Sequence, residues 1–155
     1  MRLRNGVPAM AMNEIRPVAV VGTDGSAGSV KALRWALRQA QATGAEVRVV
    51  LAWEATAPLG YVATVDDVDW AGIAGKAVAE ASAAEPDVSV PISTEVINDN
   101  PSNVLVEASK DADLVVVGGR GHGRVLGMLL GSVSDHCTHH SHCPVVVVPS
   151  PQQNA

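Results

Sequence analysis

At 155 residues the chain is sized for a single domain, and a hydrophobic share of 47% against 17% charged excludes a disordered polymer. A formal net charge of −5 excludes broad electrostatic attraction to nucleic acid, while leaving room for a local basic site that meets a phosphorylated small molecule. With three Trp, one Tyr and no Phe, the core must be packed from Val, Ala and Leu, which points to parallel strands covered on both faces.

Residues 1–15 carry Arg2 and Arg4 beside a short Ala/Met-rich stretch, too short for the apolar core of a signal peptide, and are expected to form a flexible extension. The first apolar run, Pro17 to Val21, leads into Gly22-Thr23-Asp24-Gly25-Ser26. Val30, Leu33, Leu37 and Ala40 then recur at three- and four-residue steps, one face of a helix. Ser26 or Ser29 would cap its start, and Gly44 sits where a C-terminal cap belongs. The second run is Val47 to Trp53. After an irregular stretch with Pro58 and Gly60, a helix is predicted over Asp66 to Ala84, weakened by Gly72 and Gly75. The third run, Val88 to Ile97, contains Pro91; proline donates nothing to a ladder, so this strand belongs at a sheet edge or begins near the proline. Pro101 suits the first turn of the next helix, with Asn100 or Ser102 as cap and Val104, Leu105 and Ala108 turned inward.

The fourth run, Leu114 to Val117, enters Gly118-Gly119-Arg120-Gly121-His122-Gly123-Arg124. A last helix is predicted over Ser132 to Ser141 and a fifth strand over Val145 to Val148, between Pro144 and Pro149. Strands alternating with helices imply a parallel sheet with helices on both faces. Ligands of such sheets bind beyond the carboxyl ends of the strands, where strand order reverses. The first and fourth strands both end in glycine-rich loops, which meet at one crevice if the strands are neighbours. Cys137 and Cys143 do not make a disulfide framework. No run approaches about 18 apolar residues, so a cytoplasmic protein without a membrane span is expected. Residues 16–150 form the expected domain and residues 151–155 a tail.

Gly118, Gly121 and Gly131 are separated by two and then nine residues, and Ser132 follows the last. This pattern suits phosphate cradling, because glycine permits positive φ and lets N–H groups approach oxygens with no Cβ in the way. Gly131 and Ser132 begin a helix, where unpaired N–H groups favour an anion. The hydroxyls of Ser132 and Ser134 would add donors, and Arg120 or Arg124 positive charge. A plain strand–turn–helix connection is the alternative. The Walker pattern fails, since no Lys lies beyond Lys110. The dinucleotide pattern fails too, meeting Arg124 or Leu126 where its third glycine belongs.

The stretch Val115 to Gly123, then Leu129-Leu130-Gly131-Ser132-Val133-Ser134, then Cys143 to Pro149, resembles the universal stress protein family. Val21 to Ser26, followed by a helix containing Ala32-Leu33-Arg34-Trp35-Ala36, is similar to it as well, so the likeness runs from Pro17 to Pro149. The resemblance implies an ATP-binding member with a three-layer α/β/α sandwich of the adenine nucleotide α-hydrolase type, its five-stranded parallel sheet ordered 3-2-1-4-5. It implies ATP with Mg²⁺ as ligand and a homodimer through Val145 to Val148. Gly22 and Asp24 would lie against adenine and ribose, and Ala52 would meet the base through its backbone. Gly118, Gly119, Arg120 and Gly121 would line the ribose and phosphate side, followed by Gly123 and Arg124. Gly131, Ser132, Val133 and Ser134 would hold the phosphates. Gly119 stands where the family usually has Ser, which removes one hydroxyl.

Other residues have plainer readings beside the functional ones. Asp24 has no second carboxylate or His linked to it by sequence, so capping or loop bracing stands beside ligand contact. His122 is either a phosphate contact or an exposed loop residue. Trp35, Trp53 and Trp70 read as packing residues rather than stacking platforms, Trp53, just past Ala52, being the one to check near the base. His136 and His140 are four apart on a helix, a spacing that zinc ligands use, but Cys137 continues an apolar face with Leu130 and Val133 and reads as core. No metal ligand set and no catalytic residue are assigned. The resemblance implies a regulatory nucleotide-binding protein of the stress response, with a slow ATPase using Asp24 or His122 as base and a dimeric interaction module, AMP-bound or empty, as rivals.

Overall fold

A computed structural model of the chain describes residues 15–55, 67–120 and 130–150. Its strands are β1 (Val18–Gly22), β2 (Glu46–Trp53), β3 (Ile92–Asn98), β4 (Leu114–Gly118) and β5 (Val145–Val148). The helices are α1 (Ala27–Thr43), α2 (Trp70–Ala84), α3 (Pro101–Ser109) and α4 (Ser132–His140). All strands are parallel, in the order β3-β2-β1-β4-β5, as expected. One row across the sheet reads Ser93, Arg48, Val20, Val115, Val145.

Because side chains alternate along a strand, each valine run feeds both faces. In β4, Val116 joins the cluster under α1 and α2, while Val115 and Val117 join the cluster under α3 and α4. The first cluster takes Leu33, Leu37 and Ala40 from α1 and Ala77 and Ala81 from α2; the second takes Val104 and Leu105 from α3 and Cys137 from α4. Three layers result, and full burial of each Val or Leu stabilises them by about 1.5–3 kcal/mol.

Local chemistry sets the boundaries. Ser26 caps α1, its Oγ accepting from the Ser29 N–H at 3.3 Å, and Gly44 ends the helix at φ 73°. Asn100 caps α3, its Oδ1 accepting from the N–H groups of Ser102 and Asn103 ahead of Pro101 at the first turn. Two expectations shift. The second helix begins at Trp70, where the Asp69 side chain accepts from the Gly72 N–H at 2.9 Å; Gly72 leaves room for that carboxylate. The third strand begins at Ile92, after Pro91, whose carbonyl accepts from the Val47 N–H at 2.9 Å; it lies at the sheet edge, as the proline required.

Candidate functional site

Chain connections reverse between β1 and β4, so the loops leaving Gly22 and Gly118 part from one another at the carboxyl edge of the sheet. They enclose a cavity of about 350 Å³ with the first turns of α1, α3 and α4. Its lining combines aliphatic residues, Val50, Ala52, Pro101, Leu105 and Val117, with polar ones, Asp24, Ser26, Arg120 and Ser132.

The β1 loop is braced from within. Thr23 donates its N–H to the Val50 carbonyl at 2.9 Å, the last bond between β1 and β2. Its Oγ1 accepts from the Gly25 N–H and pairs with the buried Ser29 hydroxyl at 3.0 Å. Asp24 is exposed at the rim, and its Oδ1 accepts from the Ser26 N–H at 2.9 Å. Gly118 marks a close approach of backbones: a Cβ there would lie 3.1 Å from the carbonyl carbon and oxygen of Gly28 in α1.

α4 supplies the electropositive end. Among the described residues no side chain caps it, and the N–H groups of Ser132, Val133 and Ser134 precede its first internal bond, from Asp135 N–H to Gly131 O at 2.9 Å. These three residues line the cavity, so an open helix N-terminus borders it. Gly131 itself has φ −70°, a conformation open to any residue, and its N–H already donates to the Gly119 carbonyl at 2.6 Å. The buried Ser134 hydroxyl likewise turns inward, 3.1 Å from the Gly119 carbonyl and 3.0 Å from that of Gly131.

Of the residues expected in the site, Gly22, Asp24, Ala52, Gly118, Arg120, Gly131, Ser132, Val133 and Ser134 line this one cavity. Gly119 does not. It is buried behind the wall, where its N–H donates to the Val148 carbonyl at 2.8 Å and its own carbonyl anchors the start of α4. Gly121, His122, Gly123 and Arg124 lie outside the described residues. Trp53 is a packing residue, as expected: it stacks on Trp70 with centroids 5.3 Å apart and does not line the cavity. Sequence reading overlooked Ser26 and Ser29 as lining residues, and Val50, Pro101, Leu105 and Val117. Their signal was topological, since they come from different strands and helices that meet only when the sheet order brings β1 beside β4.

A parallel sheet with a crevice at its switch point, bordered by an open helix N-terminus, defines a doubly wound α/β protein. The universal stress protein family model matches residues 17–149, and the chain belongs to that family. It is 39% identical over 140 residues to a universal stress protein of Mycobacterium tuberculosis, covering 83% of this chain and 44% of that one. The chain thus spans about half the length of the curated relatives it matches. A universal stress protein solved in complex with cAMP superposes with a TM-score of 0.68 at 29% identity, over 86% of this chain and 97% of the other. The universal stress protein UspA from Lactobacillus plantarum, at 21% identity, shares the fold with a TM-score of 0.64, over 86% and 99%. Among the described residues no helix is long and apolar enough to cross a membrane.

Proposed function

We propose that the chain is a regulatory nucleotide-binding protein of the stress response, holding ATP with Mg²⁺ in the crevice between β1 and β4. The observation that carries this reading is the uncapped start of α4 bordering a cavity that is also lined by aliphatic side chains. A base fits between Val50, Ala52, Leu105 and Val117, while phosphate oxygens accept from the N–H groups of Ser132, Val133 and Ser134. Gly22 and Gly118 flank the sugar, and Gly121, Gly123 and Arg124, which follow Gly119 in the sequence, are assigned to the phosphate side by the family resemblance. Arg120 adds positive charge at the rim. Asp24, exposed at the rim, lies on the adenine and ribose side, and a hydrated Mg²⁺ would be held chiefly by the phosphates and water. The likeness to a cAMP-bound universal stress protein supports an adenine nucleotide as the ligand class.

The protein binds rather than turns over its nucleotide: no Lys follows Lys110 to stabilise charge at the phosphates, and one Asp24 oxygen is engaged by its own loop. It works in the cytoplasm as a dimer joined through β5, changing shape or partner contacts when the crevice fills.

Calorimetric titration with ATP, ADP, AMP and cAMP tests the ligand, and two variants test the placement. Ser132→Ala removes only a hydroxyl. Ser132→Pro also removes an N–H, at a first-turn position that accepts proline, behind a Gly131 already extended at ψ 166°. Losing a charge-assisted bond worth about 1.5–3 kcal/mol, Ser132→Pro should weaken ATP by roughly 10- to 100-fold, and Ser132→Ala by far less. Equal ATP affinity in Ser132→Pro and the parent would overturn the phosphate placement. No heat with any of the four would overturn the nucleotide itself.

A further inference from the structure

The end of α4 remote from the crevice carries a second chemical feature that the nucleotide site does not use. His136 and His140 stand one turn apart, with ring centroids separated by 4.4 Å and planes tilted by 37°. His136 is half-buried and His140 exposed, while Cys137 between them turns into the core and is fully buried. The neighbouring His139 behaves differently. Its Nδ1 lies 2.9 Å from the Asp135 carbonyl and 3.3 Å from the Thr138 hydroxyl, and its ring centroid is 6.4 Å from that of His140.

We infer that His136 and His140 form a two-imidazole site for a late first-row divalent cation, Cu²⁺ ahead of Ni²⁺ and Zn²⁺. Imidazole nitrogen is a strong ligand for these ions, and affinity for a given nitrogen site peaks at Cu²⁺. Two rings one turn apart on a helix reach a shared ion from adjacent coordination positions, and here the ring centroids stand only 4.4 Å apart. The helix ends at His140, so its unsatisfied carbonyls face the same end and favour positive charge. Among the described residues no three His, Cys, Asp or Glu gather into a larger ligand group. Water completes the coordination, which makes the site open and exchangeable, unlike a closed structural zinc site. The bound ion staples the last turn of α4 and raises the melting temperature.

The test uses untagged, chelator-treated full-length protein without nucleotide, so its outcome is independent of the crevice. Cu²⁺ and Zn²⁺ are titrated calorimetrically, the Cu²⁺ complex is examined for nitrogen couplings by electron paramagnetic resonance, and melting is followed with and without metal. His136→Ala and His140→Ala should each weaken Cu²⁺ by about tenfold or more, remove the two-nitrogen signature and cancel the metal-induced rise in melting. His139→Ala should leave all three readouts in place, and circular dichroism checks that each variant folds. Undiminished Cu²⁺ binding in the His136→Ala/His140→Ala double variant, or a loss caused equally by His139→Ala, overturns the proposal.

Discussion

At the scale of single residues, adjacent glycines in the loop after β4 have opposite roles. A Cβ on Gly118 would press on the Gly28 backbone at 3.1 Å, and backbone in a helix has no room to yield. On Gly119 it would meet only ordinary contacts, the nearest being the Val148 carbonyl at 3.6 Å, with no left-handed φ to strain it. Gly118→Ala should therefore destabilise the fold by about 1–3 kcal/mol through overpacking. Gly119→Ala should stabilise it by about 0.4–1 kcal/mol, by narrowing the unfolded ensemble. Urea titration of both variants checks the pair; equal shifts of one sign would contradict it. The spacing of glycines in the sequence signalled this loop but not which glycine packs against which backbone, because that depends on α1 crossing the end of β4.

Cys137 is a second residue whose surroundings decide its chemistry. Burial pushes its thiol up to about 11, from 9.0. The fold thus favours the protonated form, so the contribution is complete below about pH 9 and is lost as pH rises towards 11. The melting-temperature advantage of the parent over Cys137→Ala should narrow across that window; an advantage constant to pH 11 would refute the thiol's part in alkaline unfolding. The sequence made this cysteine legible as core through its place beside Val133.

At the scale of elements, α1 and α2 are joined by more than apolar contact. Glu85, the C-terminal cap of α2, receives the Arg34 Nε–H at 3.0 Å and a second, shorter contact from Arg38. Partial burial raises the Glu85 pKa, but hydrogen bonds and charge from Arg34 and Arg38 outweigh it and hold the carboxyl below its usual 4.5. A depressed carboxyl stabilises the fold above its unfolded pKa and loses that effect as pH falls through the folded value. Glu85→Gln should melt earlier than the parent at pH 7, with the gap closing below about pH 4.5. A gap unchanged at pH 3.5 would rule the clamp out. Sequence pattern had no means to find this contact, since its partners sit 51 and 47 residues apart. It did find the elements themselves, because valine runs and helical periodicity are local. The second helix start eluded it because Asp69, only three residues into the predicted span, competes as a cap.

At the scale of the whole molecule, strand order leaves two open edges, and they differ in chemistry. β3 is exposed along most of its length, including Ile92 and Val96, but Glu95 sits on it with Arg48 alongside at 3.8 Å, and Pro91 precedes it. Charge and proline are the means by which edges resist pairing. β5 is four valines without a charge, closed off by Pro144 and Pro149. Alternation in the parallel ladder follows from two bonds: the carbonyls of Pro144 and Val148 face β4, accepting from the N–H groups of Val115 and Gly119. The N–H of Val147 therefore points outward, and Val147→Pro removes a donor from the free edge without cutting a bond to β4. On the opposite edge the carbonyl of Pro91 faces β2, so the N–H of Thr94 also points outward, which makes Thr94→Pro the matched control. Light scattering should find the parent and Thr94→Pro dimeric and Val147→Pro monomeric. A dimer that survives Val147→Pro and dissociates with Thr94→Pro would move the proposed pairing to β3, where the charged pair would then have to be read as part of the interface.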